Sequence, residues 1–253
     1  MSFGNSKSRF EAIGFLPNQP TTGKKRNTKM KVLSYPLPAL SACLLAILTL
    51  TSRAEAEEDK KKPNAVARFD AGIAAYQADN LPLAYQEFLA AATEGHADSQ
   101  YNVALMYEKG IGVAQDEKEA VVWYGKAALQ GNAAAQFNLG VLYENGRGTA
   151  VDFAKANEWY RKASLQGDPL AIGNLGMLYV RGDGVKENKT AGVALLLMSA
   201  TRDPSPQNNA KQNITGTRGL TPEMIAAAQA LVGEMSSAKN LLVPLDQYLE
   251  KAE

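Results

Sequence analysis

A search for chemistry in this sequence starts from one cysteine, Cys43, and one histidine, His96. A disulfide within one chain needs two cysteines, and a Cys/His zinc site needs more ligands than these two residues supply, so neither can be built. Ser-His-Asp or Cys-His catalysis would have to be organised around His96. That residue stands between Gly95 and Ala97, where later copies of the segment carry Asn132 and Asp168. Asn and Asp are helix-starting residues, so the expected role of His96 is a helix cap or a solvated surface residue.

The other chemical candidates are repeated ones. Gly110-Ile111-Gly112 and its copies resemble a phosphate loop only superficially, because no Gly-Lys-Ser/Thr follows and no strand precedes them. Trp123-Tyr124 and Trp159-Tyr160 could stack on a cofactor or a sugar, but their fixed recurrence reads better as inter-helix core. Asn102, Asn138 and Asn174 form a ladder of amides able to donate to and accept from a bound peptide backbone. The competing reading is that each amide bonds to the backbone of an adjacent repeat, as buried polar groups usually do. The sequons at Asn188 and Asn213 matter only in a eukaryotic secretory path.

The elements that would position these groups are set by a period of 36 residues. Gly95, Gly131 and Gly167 keep that step, and so do Tyr107, Tyr143 and Tyr179. The pairs Gly110/Gly112, Gly146/Gly148 and Gly182/Gly184 keep it too, and about half the positions of 96–131 and 132–167 are identical. Ala133 to Tyr143 has helical spacing, stopped by Asn145-Gly146-Arg147-Gly148, and Asp152 stands where the next helix needs a cap. That second helix is predicted to end near Leu165, with Ala156, Trp159, Tyr160 and Ala163 on its buried side. Ala104/Gly140/Gly176 and Ala120/Ala156/Gly192 allow close helix approach. A unit of this size cannot bury its apolar face alone, so neighbours must stack.

The pattern A-x-x-Q-x-N-L-G-x-L-Y-x-x-G-x-G, closed by W-Y-x-K-A-x-x-Q-G, is fullest over 133–167 and resembles the Sel1-like repeat, a relative of the tetratricopeptide repeat (TPR). The resemblance implies an all-α fold, an α/α superhelical solenoid of helix-turn-helix units. Three Sel1-like repeats span 96–203, and a TPR-like hairpin without the Gly-x-Gly turn spans 66–95. Residues 204–253 read as a degenerate repeat followed by capping helices, with Thr221-Pro222 a strong helix start. In such superhelices the first helix of each unit lines the concave face. The implied partner groove comprises Tyr101, Asn102, Leu105 and Glu108, then Phe137, Asn138, Val141 and Glu144, then Asn174, Met177 and Arg181. Lys109, Asn145, Gly173 and Val180 occupy related positions. Some cysteine-rich members of the family are linked to β-lactam binding, and the paired cysteines of those members are missing here.

The N-terminal part, 1–56, reads as an extension plus a targeting segment, with 57–65 a charged linker. Met30-Lys31, the apolar run from Val32 to Leu50 and Ala54-Glu55-Ala56 are the parts of a secretory signal, with Met30 the expected start. Two alternatives stay open: lipidation at Cys43 in Leu40-Ser41-Ala42-Cys43, and an uncleaved anchor over 32–50. Eight of the 27 basic and two of the 26 acidic residues lie within 1–56, which leaves 19 basic against 24 acidic. A mildly acidic remainder with no basic stripe argues against nucleic-acid binding.

These features predict a bacterial periplasmic or secreted scaffold that is not an enzyme and uses no cofactor or metal. It would bind a protein or peptide through the concave groove, as an envelope regulator or adaptor. The alternative is an anchored structural or accessory envelope protein assisting cell-wall or secretion machinery. A cell-wall hydrolase would require a nucleophile that the sequence does not name.

Overall fold

The computed structural model describes residues 64–252. The expectations for 1–56, including Met30, Cys43 and the Ala54–Ala56 site, and for most of the linker lie outside the described residues. Eleven helices follow one another among the described residues, without a strand. They are α1 Ala65–Gln77, α2 Leu81–Thr93, α3 Ala97–Lys109, α4 Glu117–Leu129, α5 Ala133–Asn145 and α6 Phe153–Leu165. Then come α7 Pro169–Arg181, α8 Lys189–Arg202, α9 Ala210–Gly216, α10 Pro222–Ser237 and α11 Leu242–Lys251. Each hairpin packs on the hairpin after it, with α2 against α3, α4 against α5 and α6 against α7, giving the all-α solenoid expected from the repeats.

The helix starts follow from the capping residues. His96 Nδ1 accepts from the Ser99 N–H at 3.2 Å, the same bond that Asn132 makes to Ala135 and Asp168 to Ala171, both at 2.8 Å. His96 is therefore a cap in the register of Asn132 and Asp168. Asp116, Asp152 and Asn188 cap the second helices in the same manner. Gly110, Gly146 and Gly182 end the first helices in the left-handed conformation, each N–H reaching back to the carbonyl four residues earlier.

The second glycine of each turn has a different reason. At Gly148, φ is +67°, and a Cβ there would collide with the carbonyl of Glu117, the first residue of α4. Gly112 meets Leu81 of α2 and Gly184 meets Phe153 of α6 in the same way. The turn of each repeat thus rests directly on the start of the preceding repeat's second helix, and this contact sets the step of the stack. The first hairpin lacks the device. Only Ala78–Asn80 separate α1 from α2, with Asp79 at φ +58°, where the later units use seven residues.

Within each hairpin an aromatic pair holds the helices together. Phe69–Phe88, Tyr101–Tyr124 and Phe137–Tyr160 have ring centroids 5.8, 5.7 and 6.0 Å apart. Small residues make room for them, and a Cβ on Gly140 would lie 2.6 Å from the Tyr160 ring. Tyr124 and Tyr160 are fully buried, as the core reading requires. Trp159 departs from its expected buried position: it is half-buried, with the Lys162 ammonium 4.0 Å from its ring centre, because the last turns of α6 face solvent there. At the far end α10 lies on α8, and α11 lies on α10. Arg161 of α6 reaches both Asp246 oxygens of α11 at 2.7 Å, pinning the C-terminal helix across 85 positions.

Candidate partner groove

The predicted groove residues divide into two groups. Tyr101, Asn102, Leu105 and Glu108 are expected on an open face, and the structure corrects this. They keep 8, 3, 5 and 7% of their surface, enclosed by α4 and α5. Phe137, Asn138, Val141, Glu144, Asn174 and Met177 are half-buried, and Arg181 is exposed. Val141 and Glu144 stand four and seven positions after Phe137 on α5, so the three share one helical face. Arg181 reaches Glu144 at 3.4 Å, which joins the faces of α5 and α7 into one strip. The last residues of the three first helices, Lys109, Asn145 and Arg181, are all exposed.

The burial of the first group has a specific cause. The Tyr124 hydroxyl donates to Glu108 Oε2 at 2.8 Å, and Arg147 donates to Glu108 Oε1 at 3.1 Å and through Nε to Glu117 at 2.8 Å. Glu108 is thereby turned inward. Burial pushes its carboxyl upward, but bonds from Lys109 and Tyr124 and the charges of Lys109 and Arg147 outweigh that and hold it below the ordinary range. Burial raises the Tyr101 phenol to about 12 and pushes Tyr124 well above its usual value.

The next unit repeats the arrangement. Tyr160 donates to Glu144 Oε2 at 2.6 Å and receives the Asn174 amide at 3.1 Å. Asn138 bonds to the phenols of Tyr101 and Tyr124 in the preceding repeat. The amides of Asn138 and Asn174 are therefore engaged by tyrosine side chains of the neighbouring repeat, a third arrangement beside peptide clamping and backbone bonding. These two asparagines close the stack and leave the open strip to Phe137, Val141, Met177 and Arg181.

A second polar ladder escaped the sequence reading. Gln100 donates to Ala92 O at 3.1 Å and accepts from Gln130 at 2.7 Å. Gln136 donates to Ala128 O at 3.1 Å and accepts from Gln166 at 2.8 Å. The signal was present in the motif, whose two Gln positions are filled together at 100/130 and 136/166 and lost together at Ile172/Arg202. The strip continues into a cleft of about 370 Å³ lined in part by Met177, Arg181, Lys189 and Arg218. Lys189 and Arg218 carried no signal, since they lie outside the first helices.

The comparisons with known proteins agree with this architecture. The Sel1 repeat profile matches residues 97–132, 133–168 and 169–204. A protective antigen present in uropathogenic Escherichia coli strains, displaying an SLR fold, is 30% identical with a TM-score of 0.59. The match covers 73% of this chain and 40% of that one, so the chain spans well under two thirds of that protein's length. A Sel1 repeat protein from Oxalobacter formigenes is also 30% identical, with a TM-score of 0.53, over 66% of this chain and 70% of that one. No curated protein matches the sequence at a significant level.

Proposed function

The chain belongs to the Sel1 repeat family, and from that premise we propose that it is an exported, non-enzymatic scaffold holding a protein or peptide partner on the strip formed by α5 and α7. Sel1 repeat proteins are generally protein-interaction scaffolds, and the TPR-like repeat fold is typically non-catalytic. The observation that carries the groove is the row of half-exposed Phe137, Val141 and Met177 flanked by Glu144 and Arg181. Apolar anchors rimmed by charge are what a bound peptide requires. The partner is a segment of another envelope protein, and this chain acts on it as a regulator or adaptor in the periplasm.

The test is capture of a partner from a periplasmic extract by the wild-type chain and by a Val141→Asp, Met177→Asp double variant. Leu129, 77% exposed on α4 and away from the strip, serves as the control when changed to Asp. Binding abolished by the double variant and kept by Leu129→Asp supports the groove. The converse pattern rejects it.

The apolar run at 32–50 and Cys43 keep a second reading alive, an accessory protein held at the membrane. Fractionation decides between them, because a soluble periplasmic pool excludes the anchored form and an exclusively membrane-bound chain excludes the soluble adaptor.

A further inference from the structure

The strip is closed along two units and opens at the third. Glu108–Tyr124–Asn138 and Glu144–Tyr160–Asn174 fill the first two junctions, while the third carries Val180, Leu196 and Ala210 at the same steps. The helix in the register of a further first helix, α9, runs seven residues where the others run 13. The cleft of about 370 Å³ lies where that helix falls short, between α7, α8 and the segment 212–218. Its volume is within the range of about 300–1,000 Å³ that small ligand sites occupy.

The lining has one sign of charge. Arg181, Lys189 and Arg218 are its ionisable residues, and no acidic side chain lines it. Arg181 also touches Glu144 at 3.4 Å and Asp183 at 4.0 Å, and Lys189 touches Glu187 at 3.3 Å, all three carboxylates standing outside the lining. Among the described residues no ion pair engages Arg218. The Lys189 ammonium is directed at the 216–219 turn, 3.6 Å from where a Cβ on Gly219 would stand, so two cations from different elements converge there. Met177 and Val180 give the same cleft an apolar wall.

We propose that this cleft is the specificity end of the groove and takes an acidic peptide segment, a Glu or Asp side chain followed by an apolar residue. The carboxylate lies between Lys189, Arg218 and the exposed Arg181, whose planar guanidinium can grip both oxygens. The apolar residue rests on Met177 and Val180, and the amide of Asn213 is placed to bond the peptide backbone. This inference rests on the groove reading and adds the chemistry of its occupant.

The probe is a fluorescently labelled pool of acetylated hexapeptides with a central Glu-Leu pair and randomised flanks, compared with a Gln-Leu pool and with inorganic phosphate. Anisotropy titrations use the exported chain, its Val141→Asp variant and a Lys189→Gln, Arg218→Gln double variant, the last checked for unchanged helicity. The Glu-Leu pool is expected to bind about tenfold more tightly than the Gln-Leu pool, and the double variant to erase that difference. Val141→Asp should weaken both pools alike. Equal binding of the two pools, a discrimination that survives the double variant, or absence of binding at about 1 mM overturns the inference. Phosphate displacing the label as well as unlabelled peptide does so too, since the site is then one for a free anion. The groove itself is judged separately, by partner capture with Val141→Asp and Met177→Asp.

Discussion

Three glycines within 24 positions separate three physical roles, and alanine at each is expected to shift stability by a different sign or size. Gly125 lies inside α4 with nothing within 4 Å of where an added methyl would stand, so Gly125→Ala should stabilise by about 0.8–1 kcal/mol through helix propensity alone. Gly131 has φ +91° and equally open space, so its alanine suffers only the left-handed backbone, about 1–2 kcal/mol. Gly148 has φ +67° and adds a collision with the Glu117 backbone, which neither side can relieve by rotating a side chain. Overpacking of that kind costs about 1–3 kcal/mol, for a total of about 2–5 kcal/mol. Urea unfolding followed by circular dichroism reads the order directly, provided the m-values agree. The midpoints should run Gly125→Ala, wild type, Gly131→Ala, Gly148→Ala. If Gly148→Ala lies within about 0.5 kcal/mol of Gly131→Ala, the contact between the repeat turn and the preceding helix start does not set the stacking step, and the account of the second glycine fails.

The buried polar groups give two further expectations. Tyr124→Phe leaves Glu108 buried with one donor fewer and should destabilise by about 1–3 kcal/mol in the same urea assay. Because Glu108 is held below its usual value of 4.5, its contribution is present above that pH and lost as pH falls through the lower folded value. Glu108→Gln should therefore flatten the acid limb of a stability–pH curve, and an unaltered limb would refute the assignment. At the alkaline end, Tyr101 is raised from 10.0 to about 12, so its contribution is complete below pH 10 and disappears between pH 10 and about 12. Ultraviolet titration of Tyr101→Phe against wild type should show the missing phenolate step near 12, and a missing step near 10 would contradict the burial.

The local parts of this fold were readable because they are chosen by local chemistry. The 36-residue step, the caps at His96, Asn132 and Asp168, and the glycine stops all depend on residues within a few positions of one another. The end of α6 at Leu165 follows from the Gln166-Gly167 stop. The groove was half-readable. Helix α3 is buried at every position from Ser99 to Met106, so no amphipathic pattern marks its inner side, and analogy with the repeat places Tyr101 and Leu105 outside. What turns them inward is Tyr124 and Arg147, 16 and 39 positions from the Glu108 they hold, and residue spacing within a helix carries no trace of that. The cleft was unreadable for the same reason, since Lys189 and Arg218 meet Met177 only because α9 is short.

The polar ladders also explain why the stack has one register and one end. Gln100 joins α2, α3 and α4, and Gln136 joins α4, α5 and α6, each with its carbonyl oxygen and amide both occupied. Glu108 and Glu144 are satisfied by groups from the second helix of their own unit and from the next unit. A slip of one hairpin against the next would strand these groups, at about 1–3 kcal/mol for each buried one left unbonded, whereas apolar faces alone would tolerate it. The third unit drops every member of both ladders at once, with Ile172 and Arg202 in place of the glutamines and Val180, Leu196 and Ala210 in place of the Glu–Tyr–Asn set. A unit without these groups makes no polar demand on a successor, so α10 can cover α8 through Ala228, Leu231 and Met235 without matching any register. The same loss leaves Val180 and Arg181 uncommitted at the mouth of the cleft, which places the end of the repeat array and the open end of the groove at one point in the chain.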